Sequence, residues 1–321
     1  MSVADVSRTV PAASDAGYLD EMVRLCVQYK VRLLFSLHDW EAPFIASNLK
    51  RFREIGTIPV VSGPEVIGLC LDKLQTRNYA IQNGIPHPFT VSNPDEALRA
   101  ILARSLEVPI VIKPRFGQGS LGIHTIWDEA DLAICHKMLM KRILSADSNQ
   151  VLAAAGRDSL IYQEHIEGEE YGLDVVNDLK GEFVTCFVKR KFDMRAGETD
   201  AAETVCDRTL EELGKRIGST LGHVGLLDVD VIVRDGVPYL LDMNPRFGGH
   251  YPFSHMAGAN IPAAIVAWAQ GKQPDPSWLR VRTGVRCFKD MTLVVDTRET
   301  TARKQRHRRS AEPAVNGCKR Y

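Results

Sequence analysis

The stretch from Leu227 to Arg246 constrains this chain more than any other. It reads as two β-prone runs, Leu227 to Val233 and Pro238 to Met243, about a turn at Asp235-Gly236. Side chains of a strand alternate between its faces, so Asp228 and Asp230 share one face, and Asp242 and Asn244 share one. Whether the two faces coincide depends on the loop. A three-residue loop on Arg234, Asp235 and Gly236 brings all four polar groups to one side, whereas a two-residue loop does not. Stacked carboxylates with an amide oxygen form a hard-oxygen set suited to Mg²⁺. Without a cation they repel one another. The competing reading is an ordinary strand pair with charges toward solvent, in which Leu227, Val229, Val231 and Leu241 supply the apolar face. Arg246 beside the acids favours a site.

A second feature is the glycine loop Gly117-x-Gly119-x-x-Gly122. A dinucleotide fingerprint needs a helix after such a loop, but Ile123 to Trp127 is β-prone. Protein kinases place a glycine loop between strands, but they also carry H-R-D and D-F-G, and neither occurs. What remains is a hairpin from Val108–Lys113 to Ile123–Trp127. Its loop N–H groups can close over phosphates, with Lys113 as a point charge before it. Alone, the loop is also compatible with an exposed hairpin tip.

A third cluster, Gln163-Glu164-His165-Ile166 followed by Glu169-Glu170-Tyr171, joins a strand end to an acidic restart. It can border a base with backbone and a ribose with a carboxylate, or be a charged turn. Lys73 reads equally well as a helix-surface lysine. His250 and His255 are five apart, the wrong spacing for two ligands on one helix face, and no nucleophile elbow is present.

Around these features the chain changes character. The first 71 residues look α/β. Ser14 is a candidate cap for a helix carrying Leu19, Met22, Val23 and Cys26. Val31–Leu37 and Thr57–Val61 read as strands around a helical 43–55. Ser62 and Glu65 suggest a capping box for a helix, or helix pair, ending near Gly84. Such alternation implies a parallel sheet, here with few strands. From there the pattern is α+β and antiparallel: helices at 94–106, 128–146 and 207–221, a strand at Ser159–Gln163, and a hairpin from Tyr171–Asn177 to Glu182–Lys189. Residues 285–295 could add a strand. From Thr300 onward apolar periodicity ends, and Arg303, Lys304, Arg306, Arg308 and Arg309 suggest a solvated basic tail or, alternatively, a nucleic-acid or partner-binding one.

The 321 residues hold 40 Lys+Arg against 40 Asp+Glu. A net charge of zero argues against a general nucleic-acid or membrane-surface binder. The seven cysteines form no CxxC pair, which suggests reduced thiols. With no apolar leader after Met1 and no run long enough to span a bilayer, a cytoplasmic location is expected.

Taken in order, the clusters resemble the ATP-grasp superfamily, in particular the carbamoyl-phosphate synthetase large-chain type and stand-alone carboxylate–amine ligases. The matching stretches are Ser62–Pro88, Pro109–Ile123, Tyr162–Val175 and Leu227–Gly249, and the likeness spans about 62–270. The resemblance implies an α/β (α+β) chain: an ATP-grasp fold of two α+β subdomains after a shortened Rossmann-like domain. The expected boundaries are 1–71, 72–275 (subdomains about 90–165 and 166–275), a final strand within 276–299 and the tail at 300–321.

It also implies roles. Lys73 and Lys113 match phosphate-binding positions, and Gly117, Gly119, Ser120 and Gly122 the loop over the triphosphate. Glu164, His165 and Ile166 match the adenine border, and Glu170 the ribose acid. Asp230, Asp242 and Asn244 match the Mg²⁺ ligands, with Mn²⁺ as a substitute. Arg246 matches the arginine on transferring phosphate or substrate carboxylate, with Lys113 also catalytic. Lys189, Arg190 and Arg195 lie where relatives bring basic groups, and Arg195 is counted as catalytic. The sequence departs from the pattern at Asp242, where the family usually has Glu, at Asp230, often Gln or Glu, and in its shorter N-terminal unit. The implied activity is an ATP- and Mg²⁺-dependent carboxylate–amine or carboxylate–thiol ligase using an acyl phosphate. A nucleotide-binding regulator without turnover and a small-molecule kinase are the alternatives. Its partners would be a small carboxylate and an amine, named by variable segments at 145–158, 193–203 and 250–260; a homodimer is one option for its assembly.

Overall fold

The computed structural model describes residues 4–117, 122–145, 158–195 and 197–290. Contacts divide the chain into Pro11–Phe288 and a small unit of Met1–Val10 with Lys289–Tyr321. In the small unit the described residues, 4–10 and 289–290, carry no helix or strand. The expected tail at 300–321 and all but the two end residues of the variable segment expected at 145–158 lie outside the described residues.

Among its described residues the larger unit holds three sheets. In the first, β1 (Leu33–Phe35) and β2 (Ile58–Val60) pair in parallel. Helices α1 (Tyr18–Gln28), α2 (Ala42–Ala46) and α3 (Leu49–Glu54) accompany them. Cys26, Ile45 and Phe52 from these helices pack with Ile67 in one apolar cluster. The caps differ from expectation. Gly17, not Ser14, precedes α1, and Asp15 takes the Gly17 N–H. Ser62 caps nothing: α4 (Pro64–Leu71) starts behind Gly63, and the Ser62 hydroxyl accepts the Val224 N–H at 3.0 Å. Pro64 presets the helical φ and has no N–H to satisfy, so this start needs no capping box. Helix α5 (Lys73–Gln82) follows at once, with Asp72 capping it through the Leu74 N–H.

The second sheet has the order β3-β6-β4-β5, antiparallel throughout. Its strands are β3 (Thr90–Val91), β4 (Ile110–Pro114), β5 (His124–Ile126) and β6 (Leu160–Glu164). Helices α6 (Pro94–Leu102) and α7 (Leu132–Ser145) cover one face, where Ala97, Ile101 and Leu139 meet Ile110, Ile112 and Tyr162. By alternation Val111 and Lys113 of β4 then point the other way.

The third sheet is six-stranded and antiparallel, in the order β11-β10-β7-β8-β9-β12. Its strands are β7 (Glu169–Asn177), β8 (Phe183–Arg195), β9 (Glu198–Val205), β10 (Leu226–Arg234), β11 (Val237–Asn244) and β12 (Arg286–Phe288). Helix α8 (Arg208–Leu221) lays Leu210, Leu213 and Ile217 on Leu173, Val175, Leu227 and Val229. Two short helices, α9 (Tyr251–Met256) and α10 (Ile261–Ala269), complete the unit. Strand β9 corrects the sequence reading, which placed a variable loop at 193–203. Its residues Ala201, Ala202 and Thr204 are buried between two neighbours, β8 and β12. The expected loop at 250–260 is largely helix α9. No described helix is long and apolar enough to cross a membrane.

Candidate functional site

The acidic hairpin resolves its register in a way neither loop length anticipates. The turn is the two-residue Asp235-Gly236, both at positive φ (52° and 76°), the geometry that suits the twist of a tight hairpin. Val231 pairs with Leu240, but a bulge between Asp230 and Val231 shifts the register, and Asp230 pairs with Asp242 and Asp228 with Asn244. The bulge restores the common face that the short turn alone would have lost. Leu240, not Leu241, therefore joins the core with Val229 and Val231, while Leu241 lines the cavity.

That face is the floor of a cavity of about 550 Å³. The inner face of the second sheet is its roof, with Val111, Lys113 and Gln163, and Glu164 to Ile166 form the connecting wall. Lys73, at the start of α5, donates to the Gly117 carbonyl at 2.8 Å and lies 3.7 Å from Asp242. Lys113 is 7% exposed. Burial, and then the charge of Lys73, lower its pKa to about 8 against the attraction of Asp242 and Asp230. Asp242 is pushed above the usual carboxylate range by burial, with Lys73 and Lys113 opposing and Asp230 adding to the rise. Lys191 of β8 pairs with Asp230.

The other expected residues divide. Gly117, Glu164, His165, Ile166, Glu170, Asp230, Asn244 and Arg246 all line the cavity. Gly122, at φ 79°, lies against Pro114, and Gly119 and Ser120 lie outside the described residues. The Glu164 side chain is held by Arg234 at 3.0 Å and takes the Phe89 N–H at 3.2 Å. The His165 ring lies 6.1 Å from that of Trp127.

Arg195 is a correction. It is half-exposed, pairs with Asp200 at 2.7 Å and does not line the cavity. Register shifts between Lys191 and Met194 bend β8, so the basic group it sends into the cavity is Lys191. Lys189 is buried against Asp174, and Arg190 faces Glu169. Arg195→Ala is accordingly expected to leave nucleotide affinity within about twofold of the parent by calorimetry, as for a surface pair.

Three residues outside the expected site set meet here: Asp39, which carried no sequence signal, Asp228, read only as part of the acidic face, and His250, weighed only as a ligand pair with His255. Asp39 lies in the loop after β1 and clasps Arg246, with Nε 2.6 Å and Nη2 3.2 Å from its two oxygens. Asp228 approaches Arg246 Nη1 at 3.4 Å and also contacts His250. Spacing along the chain cannot reveal any of these contacts.

Asp228, Asp230 and His250 have ligand atoms close enough for a metal ion. Within that group His250 turns its two ring nitrogens to Asp228 and Asp174. Asp230, Asp242 and Asn244 instead offer oxygen only, and a hard divalent cation would favour the Asp242 carboxylate that burial disfavours. The donor set fits such an ion.

The fold and the site belong to one class. The ATP-grasp domain model matches residues 70–250, so the chain belongs to the ATP-grasp family; a PylC-like N-terminal domain model matches residues 1–61. It is similar to the carbamoyl phosphate synthase large chain of Xylella fastidiosa, 25% identical over 236 residues, covering 68% of this chain and 21% of that one. The chain thus spans about a fifth of the length of the curated relatives it matches. Among solved structures it is similar to the biotin carboxylase domain of Hydrogenobacter thermophilus 2-oxoglutarate carboxylase in complex with MgADP, ADP and bicarbonate, with a TM-score of 0.66, 17% identity and coverage of 87% of this chain and 62% of that one. It is also similar to an L-amino acid ligase from Bacillus licheniformis, with a TM-score of 0.62, 17% identity and coverage of 86% and 67%. At these identities the likeness is one of fold.

Proposed function

We propose that this protein uses Mg·ATP to activate a small-molecule carboxylate as an acyl phosphate and passes the acyl group to an amine or thiol, releasing ADP and phosphate. One observation carries the reading. A single cavity sets Lys73 and Lys113 against Asp230, Asp242 and Asn244, and burial there disfavours the charges of Lys113 and Asp242. A triphosphate with its divalent cation relieves both.

In this reading Lys73 and Lys113 hold phosphate oxygens, and Glu164 to Ile166 border the base. Glu170 reaches the ribose. Arg246 steadies the transferred phosphoryl group or the substrate carboxylate. Mg²⁺ or Mn²⁺, held by Asp230, Asp242 and Asn244, would supply charge neutralisation. Phosphoryl transfer asks the protein mainly for positioning and for compensating charge. The fold neighbours that carry MgADP with bicarbonate, or act as an L-amino acid ligase, support the class of chemistry.

The test is ADP and phosphate release from the purified protein with Mg·ATP over pools of small carboxylates and amines. Release that requires both an acid and an amine, with an amide mass in the products, is the expected result. Tight ATP binding with no release in any pool would replace the ligase by a nucleotide-binding regulator. The Lys191–Asp230 pair, which occupies an oxygen of the cation set, favours that second reading. ADP release that yields a phosphorylated acceptor and no amide would mark a kinase.

A further inference from the structure

From the cavity floor inward runs a row of buried charges, of which the proposed chemistry uses only the Arg246 end. Lys189 of β8 and Asp174 of β7 pair with their side chains fully buried. Ser254 of α9 donates to the same Asp174 oxygen. His250, 3% exposed, sits between two acids, its Nδ1 3.1 Å from Asp174 and its Nε2 against Asp228. Asp228 turns its other oxygen toward Arg246, and Arg246 ends the row on Asp39. The signs alternate along the whole row. Both imidazole nitrogens face carboxylates, which favours a positive charge on the ring. Burial opposes that charge, and Asp228 and Asp174 outweigh it, keeping the imidazole above its usual range.

The backbone makes room for this row. A Cβ on Gly172 would lie 2.8 Å from the His250 ring, and one on Gly248 2.2 Å from the Asp228 carboxyl carbon. Neither glycine has a positive φ, so close approach alone explains them. Buried ion pairs are poor stabilisers, because desolvation offsets most of their attraction. A row seated this tightly is better explained by the geometry it imposes. Its end is the Arg246 fork: Nε and Nη2 go to Asp39, and Nη1 goes to Asp228 and the Phe247 carbonyl. With four of its five N–H groups so committed, the planar guanidinium turns the one left, on Nη2, in a fixed direction.

We propose that His250 is a positioning residue that acts through Asp228 to fix the Arg246 guanidinium. The consequence for nucleotide binding rests on the reading of Arg246 as the phosphate-contacting arginine. The mechanical part does not, and the two are measured separately.

The first measurement is hydrogen exchange of the Arg246 Nε–H in ligand-free, arginine-labelled protein by NMR, with the Arg195 Nε–H as internal control. His250→Gln is expected to speed Arg246 exchange by about tenfold and leave Arg195 unchanged, the scale on which groups behind a ligand act. Unchanged Arg246 exchange overturns the proposal, and so does equal acceleration at both arginines, which signals general loosening. Should His250→Gln fail to fold, Ser254→Ala keeps every ion pair and is expected to shift Arg246 exchange in the same direction; no shift there overturns the proposal too.

The second measurement is calorimetric binding of Mg·AMP-PNP and Mg·ADP. His250→Gln should weaken AMP-PNP by about tenfold, spare ADP within about twofold, and add nothing to Arg246→Lys, as for one coupled unit. Independent, additive losses would overturn the coupling. A parent protein that binds neither nucleotide, or an Arg246→Lys variant that binds AMP-PNP normally, would instead sink the phosphate role of Arg246, and exchange alone would then decide the role of His250.

Discussion

Asp242→Asn is expected to abolish Mg²⁺-dependent ADP release, a loss of at least about 100-fold, while leaving the fold intact. The expectation follows from the hairpin register. The bulge places Asp242 opposite Asp230, on the cavity face and within 3.7 Å of Lys73. Asparagine keeps the shape and one oxygen but removes the charge that a cation needs, and losing such a group removes several kcal/mol of transition-state stabilisation. The same change should not lower the melting temperature of the ligand-free protein. Burial already disfavours the Asp242 carboxylate more than Lys73 and Lys113 favour it, so neutralising it relieves an electrostatic penalty. Turnover across a Mg²⁺ titration, beside thermal melts with and without nucleotide, checks both halves. Full activity in the variant would remove Asp242 from the cation set, and a collapsed melt would make it structural.

Lys113→Met should produce the second large effect. A charge-assisted hydrogen bond to phosphate contributes about 1.5–3 kcal/mol, so nucleotide affinity is expected to fall by about 10–100-fold. The stability effect runs the other way and depends on pH. Burial, then Lys73, bring Lys113 to about 8 in the folded protein, from 10.5. Between these values the unfolded chain binds more protons than the folded one, so stability rises with pH across that window. Below about pH 8 the whole penalty is present, on the order of 3 kcal/mol. Methionine carries no such penalty. The ligand-free variant should therefore melt above the parent near pH 7.5, and the gap should close as the pH approaches 10.5. A gap that stays constant over that range would mean that Lys113 is not the group responsible. Added nucleotide should narrow the gap at pH 7.5, because phosphate stabilises the lysine charge only in the parent.

Much of the architecture was legible from local pattern. The alternation of Leu227, Val229 and Val231 with Asp228 and Asp230 predicts β10, and the leucine spacing of 210–221 predicts α8. The β-prone runs on either side of the glycine loop predict β4 and β5. These signals survive because each element buries a face of its own, and the period of its apolar residues records that face. Strand β9 left no such record. It is an inner strand whose Thr199, Ala201, Ala202 and Thr204 are all buried, and small residues between charged ones resemble a loop. Arg195 was placed by the resemblance alone, and it lies beyond the register shifts after Lys191, outside the cavity lining.

The sequence by itself determined which chemistry-bearing residues exist, and the order of four motifs along the chain was enough to place them in one superfamily. It determined the parity of each strand, and hence that Asp228 travels with Asp230 and Asp242 with Asn244. It could not decide whether those pairs share a face, because that turns on one bulged residue whose position depends on how β10 and β11 close. Nor could it join Asp39 to Arg246 across 207 positions, or seat His250 between Asp174 and Asp228. Those contacts are made between strands and loops distant in the chain. They exist because desolvated charges must find partners, and only the packed sheets decide which partners lie within reach.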